Sequence, residues 1–385
     1  MDMVIGIIGA GASGMAAALT AAENQDNHVI LFERQARVGK KLLATGNGRC
    51  NLTNLKASCD AYHGEQPAFA APAIAKYGVE DTLKWFEDMG LLTVAEDSGR
   101  VYPYSDQANS VVDVLRFALE NENIELKLGF EVSKIKKTEA GFAVAGKDET
   151  VICDRLIVAC GGLAGTQLGG SMSGYQILRS MGHRVSQLRP TLVQLKTADN
   201  VASLKGVRAN CKATILKDGA VFAESTGEIQ FTEYGISGPV VFEISRDVCA
   251  QKGQWTCRLD FLPGVSDKKL ASMICRGGEE MLTGILHNRL GKILSKAGSY
   301  DMAAVCAAVK GFELNLLEPM GMDKAQVTAG GVYTRDFDPE TMESKLVPGL
   351  FACGEVLDID GDCGGFNLQW AWSSGRCAGF SAGRA

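Results

Sequence analysis

Gly9-Ala10-Gly11-Ala12-Ser13-Gly14, with the acid Glu33 nineteen residues further on, carries the first recognisable chemistry in this chain of 385 residues. In a G-x-G-x-x-G turn the first glycine permits the tight bend and the second lets a pyrophosphate approach the backbone. The third lets the following helix pack on its strand. The pyrophosphate would sit at the helix N-terminus, where free N–H groups and the helix dipole favour an anion. Glu33 would accept hydrogen bonds from ribose hydroxyls, and an acid there argues against a 2′-phosphate. The pattern by itself does not separate NAD from FAD.

Two further runs bear on that choice. Gly39 to Asn54 is rich in Gly and Asn and includes Arg49. A plain NAD domain would proceed to another helix and strand, whereas a long loop here suits the extended part of a larger dinucleotide. Standing alone, the run would read as a surface loop. Near the other end, Phe351 to Asp358 reads as a strand closing on Gly354-Glu355, and Gly364-Gly365 then opens a helix at Phe366. That helix N-terminus could face the N1–C2=O edge of a flavin, where negative charge develops on reduction and fixed dipoles stabilise it. A capped helix with Trp370 and Trp372 as core is the alternative. Cys50 is a proton donor or a packed thiol. Gly99-Arg100-Val101-Tyr102-Pro103-Tyr104-Ser105-Asp106 is a polar aromatic loop that faces substrate or lies on the surface. The catalytic residues stay unassigned.

The elements that position these residues can be read from periodicity. Val4–Ile8 is a fully buried strand, Met15–Asn24 a helix, and His28–Glu33 the next strand, which makes one βαβ unit. Helices are expected near 67–77, 79–89 and 110–121. Short strands are expected at 124–128, 131–136, 141–145 and 150–153, and a buried strand at 155–160. From Thr191 the texture changes to alternating strands, including 211–216 and 255–261, as in a small barrel or sandwich. Ser266–Lys310 is mostly helical, and a buried strand returns at 350–353. The expected organisation is a nucleotide domain, 1–190 and 325–385, interrupted by an inserted barrel or sandwich, 191–265 and 311–324, and a helical subdomain, 266–310.

Composition narrows the class. A net charge of −6 excludes an obvious nucleic-acid binder, although Ser266–Lys310 holds seven basic and four acidic residues. The twelve cysteines form no C-x-x-C, and the four histidines do not cluster with them, so a metal site is not expected. No C-x-x-x-x-C accompanies Cys50, which argues against a disulfide relay. Cysteines in apolar runs favour a reducing cytosol. Met3–Ala22 is apolar, but its glycines and lack of a basic leader fit a buried strand and helix better than a membrane span.

The opening turn, Lys41–Asn54 (KLLATGNGRCNLTN), Gly227–Pro239 (GEIQFTEYGISGP), Val327–Val332, Thr341–Lys345 and Gly349–Gly375 together resemble a bacterial flavoprotein family with an inserted domain. Its members include proposed aminoacetone oxidases, a bile-acid-pathway reductase and a ribosomal RNA dihydrouridine synthase. The resemblance implies an α/β fold, with a Rossmann-like FAD-binding domain of the two-dinucleotide-binding type and an inserted β-barrel plus helical domain. It also implies FAD as cofactor, with NAD(P)H as a transient donor. The candidate cofactor contacts are Gly9, Gly11, Ser13 and Gly14; Glu33 and Arg34; and Lys41, Leu42, Thr45, Gly46, Gly48, Arg49, Cys50 and Asn51. To these are added Val132; Cys160, Gly161 and Gly162; and Gly354, Glu355, Asn367, Leu368 and Gln369. The activity expected is NAD(P)H-driven reduction of an unsaturated small molecule through flavin N5. An aminoketone oxidase making hydrogen peroxide, a ribosomal RNA uridine reductase and a non-enzymatic flavin protein are the alternatives. After Gly162 this chain has Leu163-Ala164 where the family commonly has Ser-Pro, and it has Ser171-Met172-Ser173-Gly174 where an S-T-G is usual. Substrate preference is therefore expected to differ among relatives.

Overall fold

The computed structural model describes residues 3–277, 279–297 and 301–384. Positions 278 and 298–300, in the stretch expected to be helical, lie outside the described residues. Chain contacts divide the fold into two compact units, Met1–Arg189 with Val327–Ala385, and Pro190–Gln326.

The first unit is built on a parallel sheet of five strands: β1 (Met3–Ile8), β2 (Asn27–Glu33), β3 (Ile124–Leu128), β4 (Arg155–Val158) and β5 (Leu350–Ala352). Their spatial order is β5-β4-β1-β2-β3, the Rossmann order in which the chain reverses direction beside β1. β1 lies in the middle, with Ile7 beside Leu31 on one side and Ile157 on the other. Ile5 and Ile7 are fully buried, which accounts for a strand with no polar face. Burying each such side chain contributes about 1.5–3 kcal/mol.

Helix α1 spans Ala12–Ala21 and begins at Gly11. It starts three residues earlier than its apolar periodicity indicates, because the glycine turn itself supplies the first helical residues. The strand expected over 131–136 runs instead over Lys134–Thr138. The Phe130 amide donates to the Glu33 carbonyl, which holds the preceding residues against the end of β2.

The C-terminal helix α2, Phe366–Ala382, lies alongside α1. A β-carbon on Gly375 would come within 2.4 Å of the Ser13 carbonyl oxygen, and one on Gly379 within 2.2 Å of the Ala17 oxygen. Contact pairs that advance together along both chains mean that the helices run parallel. The buried Asn27 amide donates to both C-terminal ends, to Ala21 at 2.8 Å and Gly383 at 2.9 Å. Since Gly375 lies level with Ser13, the N-terminus of α2 projects eight residues beyond that of α1, roughly 12 Å of helix rise.

The second unit is a closed six-stranded antiparallel barrel. Around its wall the order is Leu195–Thr197, Gly235–Ser237, Ala220–Phe231, Arg208–Lys217, Trp255–Asp260 and Phe312–Pro319. Ile215, Phe231, Cys257, Leu259 and Leu314 are buried in this unit's core. The Gly227–Pro239 run makes the sharp return needed for closure. A β-carbon on Gly235 would lie 2.1 Å from the Leu195 oxygen, and Gly238 has φ +103° before the helix Pro239–Ala250. Helices Asp267–Gly277, Asn288–Ala297 and Met302–Lys310 belong to the same unit.

Candidate functional site

Packing fixes two glycines of the opening turn and leaves the third open. Gly9 has φ +103°, and a β-carbon there would lie 2.6 Å from the Ala159 oxygen; one on Gly14 would lie 1.8 Å from the Gly9 oxygen. These two are confined by packing. Gly11, by contrast, has nothing within 4 Å of the place a β-carbon would occupy. It is the N-cap of α1, and no side chain caps the helix there. The first-turn amides of α1 thus stand at an uncapped helix end with bare backbone in front of it, which suits an anion.

Glu33 ends the neighbouring strand. Its Oε2 accepts the Ala10 amide at 2.9 Å and its Oε1 accepts the Gln35 amide at 2.7 Å. A carboxylate has about four acceptor sites, so two are left for a diol. Arg34 donates to the Gly169 carbonyl and ties down the 165–170 loop. Val132 is half-buried in the segment beyond β3.

The long loop after β2 is tightly held. Leu42 is buried in the core. The Thr45 hydroxyl donates to the Leu42 carbonyl at 2.7 Å, and the Cys50 amide donates to the Thr45 carbonyl at 3.0 Å. Gly46, Asn47, Gly48 and Cys50 all have positive φ. Nothing lies within 4 Å of a β-carbon built on Gly48 or on Gly161, so both leave open backbone as Gly11 does. Cys50 is fully buried, and burial pushes its thiol up to about 12, the state of a packed thiol. Cys160 is likewise pushed up to about 12 by burial. Arg49 turns to the surface: it pairs with Glu96 at 3.0 Å and with Asp106, and its guanidinium lies 3.8 Å above the Tyr102 ring. Arg100 and Tyr102 stand in the strand Arg100–Pro103, and Tyr104 just beyond it is exposed.

Both distant segments of the sequence meet at Glu355. Its Oε2 pairs with Lys41 Nζ at 2.7 Å, and its Oε1 accepts the Thr328 amide at 2.8 Å. A β-carbon on Gly162 would fall 2.5 Å from that Oε1, so only glycine fits beside it. A β-carbon on Gly354 would lie 2.5 Å from the Ser13 hydroxyl. Thr328 also takes the Ala164 amide on its hydroxyl at 2.9 Å. Sequence reasoning named Lys41 and Glu355 separately but missed their pairing and missed Thr328; the Val327–Val332 run was the available signal.

The N-terminus of α2, like that of α1, has no side-chain cap. Its N-cap is Gly365, with φ +103°. Asn367 braces the turn before it through Gly361, with bonds of 2.8 Å in both directions. Leu368 is half-buried against the core. Gln369 is fully buried; its oxygen takes the Thr53 hydroxyl at 2.6 Å, and its amide reaches Thr82, Ser373 and the Tyr77 carbonyl. Among the candidates, Asn367 and Gln369 therefore serve as braces whose polar atoms face protein partners. Trp370 and Trp372 are buried too, yet their indole N–H groups donate to the carbonyls of Gly354 at 3.2 Å and Leu52 at 3.0 Å, fixing backbone on both sides of the site. Nothing in their spacing signals that role.

The arrangement fits an elongated dinucleotide. It offers an anion site at α1, a diol acceptor at Glu33, open glycine backbone at three positions and a second electropositive helix end about 12 Å further along. Among the described residues no group of three or more His, Cys, Asp or Glu could hold a metal, and no helix is long and apolar enough to cross a membrane.

Residues 3–381 match the model described as the HI0933-like protein Rossmann domain. The chain is 40% identical to the 3-dehydro-bile acid delta(4,6)-reductase of Clostridium scindens, covering 98% of both. It is 32% identical to the ribosomal RNA dihydrouridine synthase of Escherichia coli, covering 96% of this chain and 95% of that one. In fold it is similar to a flavocytochrome c3 fumarate reductase, with TM-score 0.53 and 17% identity over 99% of this chain and 78% of the other. It is also similar to the 3-ketosteroid delta1-dehydrogenase of Sterolibacterium denitrificans, with TM-score 0.51 and 12% identity over 98% and 99%.

Proposed function

Because the chain belongs to the HI0933-like family, we propose that it is an FAD-dependent oxidoreductase that uses NAD(P)H to saturate a carbon–carbon double bond in a small molecule. The observation that carries this reading is the parallel offset of α1 and α2, two uncapped helix ends about 12 Å apart along one direction. The first matches a pyrophosphate, and the second matches an electron-rich ring edge.

The chain's own residues divide the work. The amides behind Gly11 would hold the pyrophosphate, and Glu33 would accept the adenosine ribose hydroxyls through its remaining lone pairs. Glu355, held by Lys41 and the Thr328 amide, would accept hydroxyls of the sugar-alcohol chain. The amides of Phe366, Asn367 and Leu368 stabilise negative charge where it develops. FAD, when bound, supplies hydride transfer at N5, which no side chain provides. Only one G-x-G-x-x-G is present in the sequence, so the nicotinamide donor visits and leaves. Buried Cys50 takes no part in proton transfer. The relatives' names point to substrates as different as a bile acid and a ribosomal RNA, and both describe saturation of a double bond. Among the described residues the cysteines form no disulfide, which supports a reducing cytosol.

The test is anaerobic. NADH or NADPH bleaches the flavin absorbance of the loaded protein, and an enone restores it; no bleaching by either nucleotide rejects the reductase form.

One observation favours a second reading, in which the double bond belongs to a uridine in RNA. Lys268, Lys269, Arg276, Arg289, Lys292 and Lys296 are all exposed, and among the described residues none of them takes part in an ion pair. Binding of a ribosomal RNA fragment that weakens when these residues become Gln, with turnover of free enones unchanged, would favour it.

A further inference from the structure

Two sets of hydrogen-bonding groups meet at the start of α2 and leave each other unsatisfied. The first turn of the helix has free amides with no side-chain cap. Beside it, Asn51 is 9% exposed, and its Oδ1 is buried without a hydrogen-bond partner. That oxygen lies 2.9 Å from where a β-carbon of the N-cap Gly365 would stand, so it is aimed at the helix end.

The neighbouring donors are already engaged. Asn54 Nδ2 donates to the Gly364 carbonyl at 2.8 Å, the Thr53 hydroxyl to Gln369 at 2.6 Å, and Trp372 Nε1 to the Leu52 carbonyl at 3.0 Å. Asn51 itself is pinned. Cys50 before it has φ +61°, and the Leu52 amide after it donates to Val101 at 2.8 Å. A β-carbon on Gly46 would sit 2.8 Å from the Asn51 nitrogen. The side chain thus presents an acceptor beside a row of backbone donors, and it does so before any ligand arrives.

A buried acceptor without a donor is unfavourable to folding, and a ligand that supplies the donor removes the cost. The complement of an acceptor flanked by donors is a ring N–H flanked by carbonyls. We propose that Asn51 is a positioning residue that accepts the N–H of an imide edge, C(=O)–N(H)–C(=O), while the first amides of α2 donate to one of its carbonyls. The proposal rests on the FAD reading above, since the pyrimidine edge of isoalloxazine is such an imide, with its N–H at N3. Uracil carries the same edge, and the test below separates the two.

Apo-protein is titrated with FAD and with N3-methyl-FAD, following flavin fluorescence. The wild-type chain binds the methylated cofactor about tenfold more weakly or worse, the loss expected for one hydrogen bond. Asn51→Leu binds FAD about tenfold more weakly and no longer distinguishes the two cofactors. Asn51→Asp, which keeps the acceptor, still distinguishes them. Equal binding of both cofactors by the wild-type chain overturns the proposal and leaves the FAD reading standing. Failure of the wild-type chain to bind FAD at all overturns that reading first. In the second arm, FAD-loaded protein is titrated with uridine monophosphate. Affinity unchanged by Asn51→Leu supports the flavin assignment, and a tenfold loss there with FAD binding intact overturns it in favour of uracil.

Discussion

Gly375 meets Ser13 so closely that a β-carbon on the glycine would stand 2.4 Å from the serine's carbonyl oxygen. That contact sets the height at which α2 rides beside α1, and so the distance between the two helix ends on which the functional reading depends. Helix propensity alone would make Gly375→Ala stabilising by about 1 kcal/mol. The packing reverses the sign. The variant is expected to lose about 1–3 kcal/mol, the cost of overpacking a closed contact, and to bind FAD more weakly. Urea denaturation of the apo-protein, followed by FAD titration, checks both.

Glu355 is the junction between the two ends of the chain. Glu355→Ala leaves Lys41 and the Thr328 amide without their acceptor. FAD affinity should fall at least about tenfold, the equivalent of roughly 1.4 kcal/mol. Arg49→Ala should change it by less than about threefold, because Arg49 is held at the surface by Glu96 and Asp106, where substitutions usually shift stability by less than about 0.5 kcal/mol. Fluorescence titration of apo-protein compares the two, and a larger loss for Arg49→Ala would place that residue on the cofactor.

The buried thiols give the protein an alkaline limit. Burial pushes Cys50, Cys153, Cys160, Cys211 and Cys353 up to about 12, from 9.0 in the open chain. Between those values the unfolded chain has released protons that the folded chain still holds, so stability falls as pH rises. It should be level with respect to these groups below about pH 9 and decline from there towards pH 12. Urea midpoints from pH 7 to 10.5 check the sign. Cys50→Ala should retain turnover within about threefold, as expected for a packed thiol that the chemistry does not use.

His183 limits stability on the acid side. It is buried, stacked at 4.5 Å on Phe337, and bonded through Nε2 to the Ser344 hydroxyl at 3.0 Å. Burial lowers its pKa below the usual 6.5. The unfolded chain therefore takes up a proton first, and stability contributed by the neutral ring is lost as pH falls through and below that value. His183→Gln should flatten the pH dependence of the urea midpoint between pH 7 and 5; an unchanged slope would assign the acid limb elsewhere.

What could be read beforehand follows from how local each signal is. The opening βαβ unit was legible because three glycines and Glu33 act within one short segment, each for a steric or hydrogen-bonding reason of its own. Strand and helix existence in the second unit followed from alternation and 3.6-residue periodicity. Boundaries moved where a cap or turn decided them, as at Gly11. Long-range pairings were not legible. The parallel register of Ser13 with Gly375, the Lys41–Glu355 pair and the indole bonds of Trp370 and Trp372 join residues more than 300 positions apart or held across a turn, and no spacing rule encodes them. Arg49 shows the same limit. Its place in a glycine-rich loop implied a ligand, while Glu96 and Asp106 from elsewhere in the chain turn it outward.

Reconstitution of the apo-protein with FAD tests the central claim most directly. The account predicts one tightly held FAD per chain with the two absorption bands of oxidised flavin, and at least tenfold weaker retention when Gly11, whose open face borders the helix end, is replaced by Val. A wild-type chain that stays colourless after incubation with FAD, or a Gly11→Val chain that holds it equally well, would contradict it.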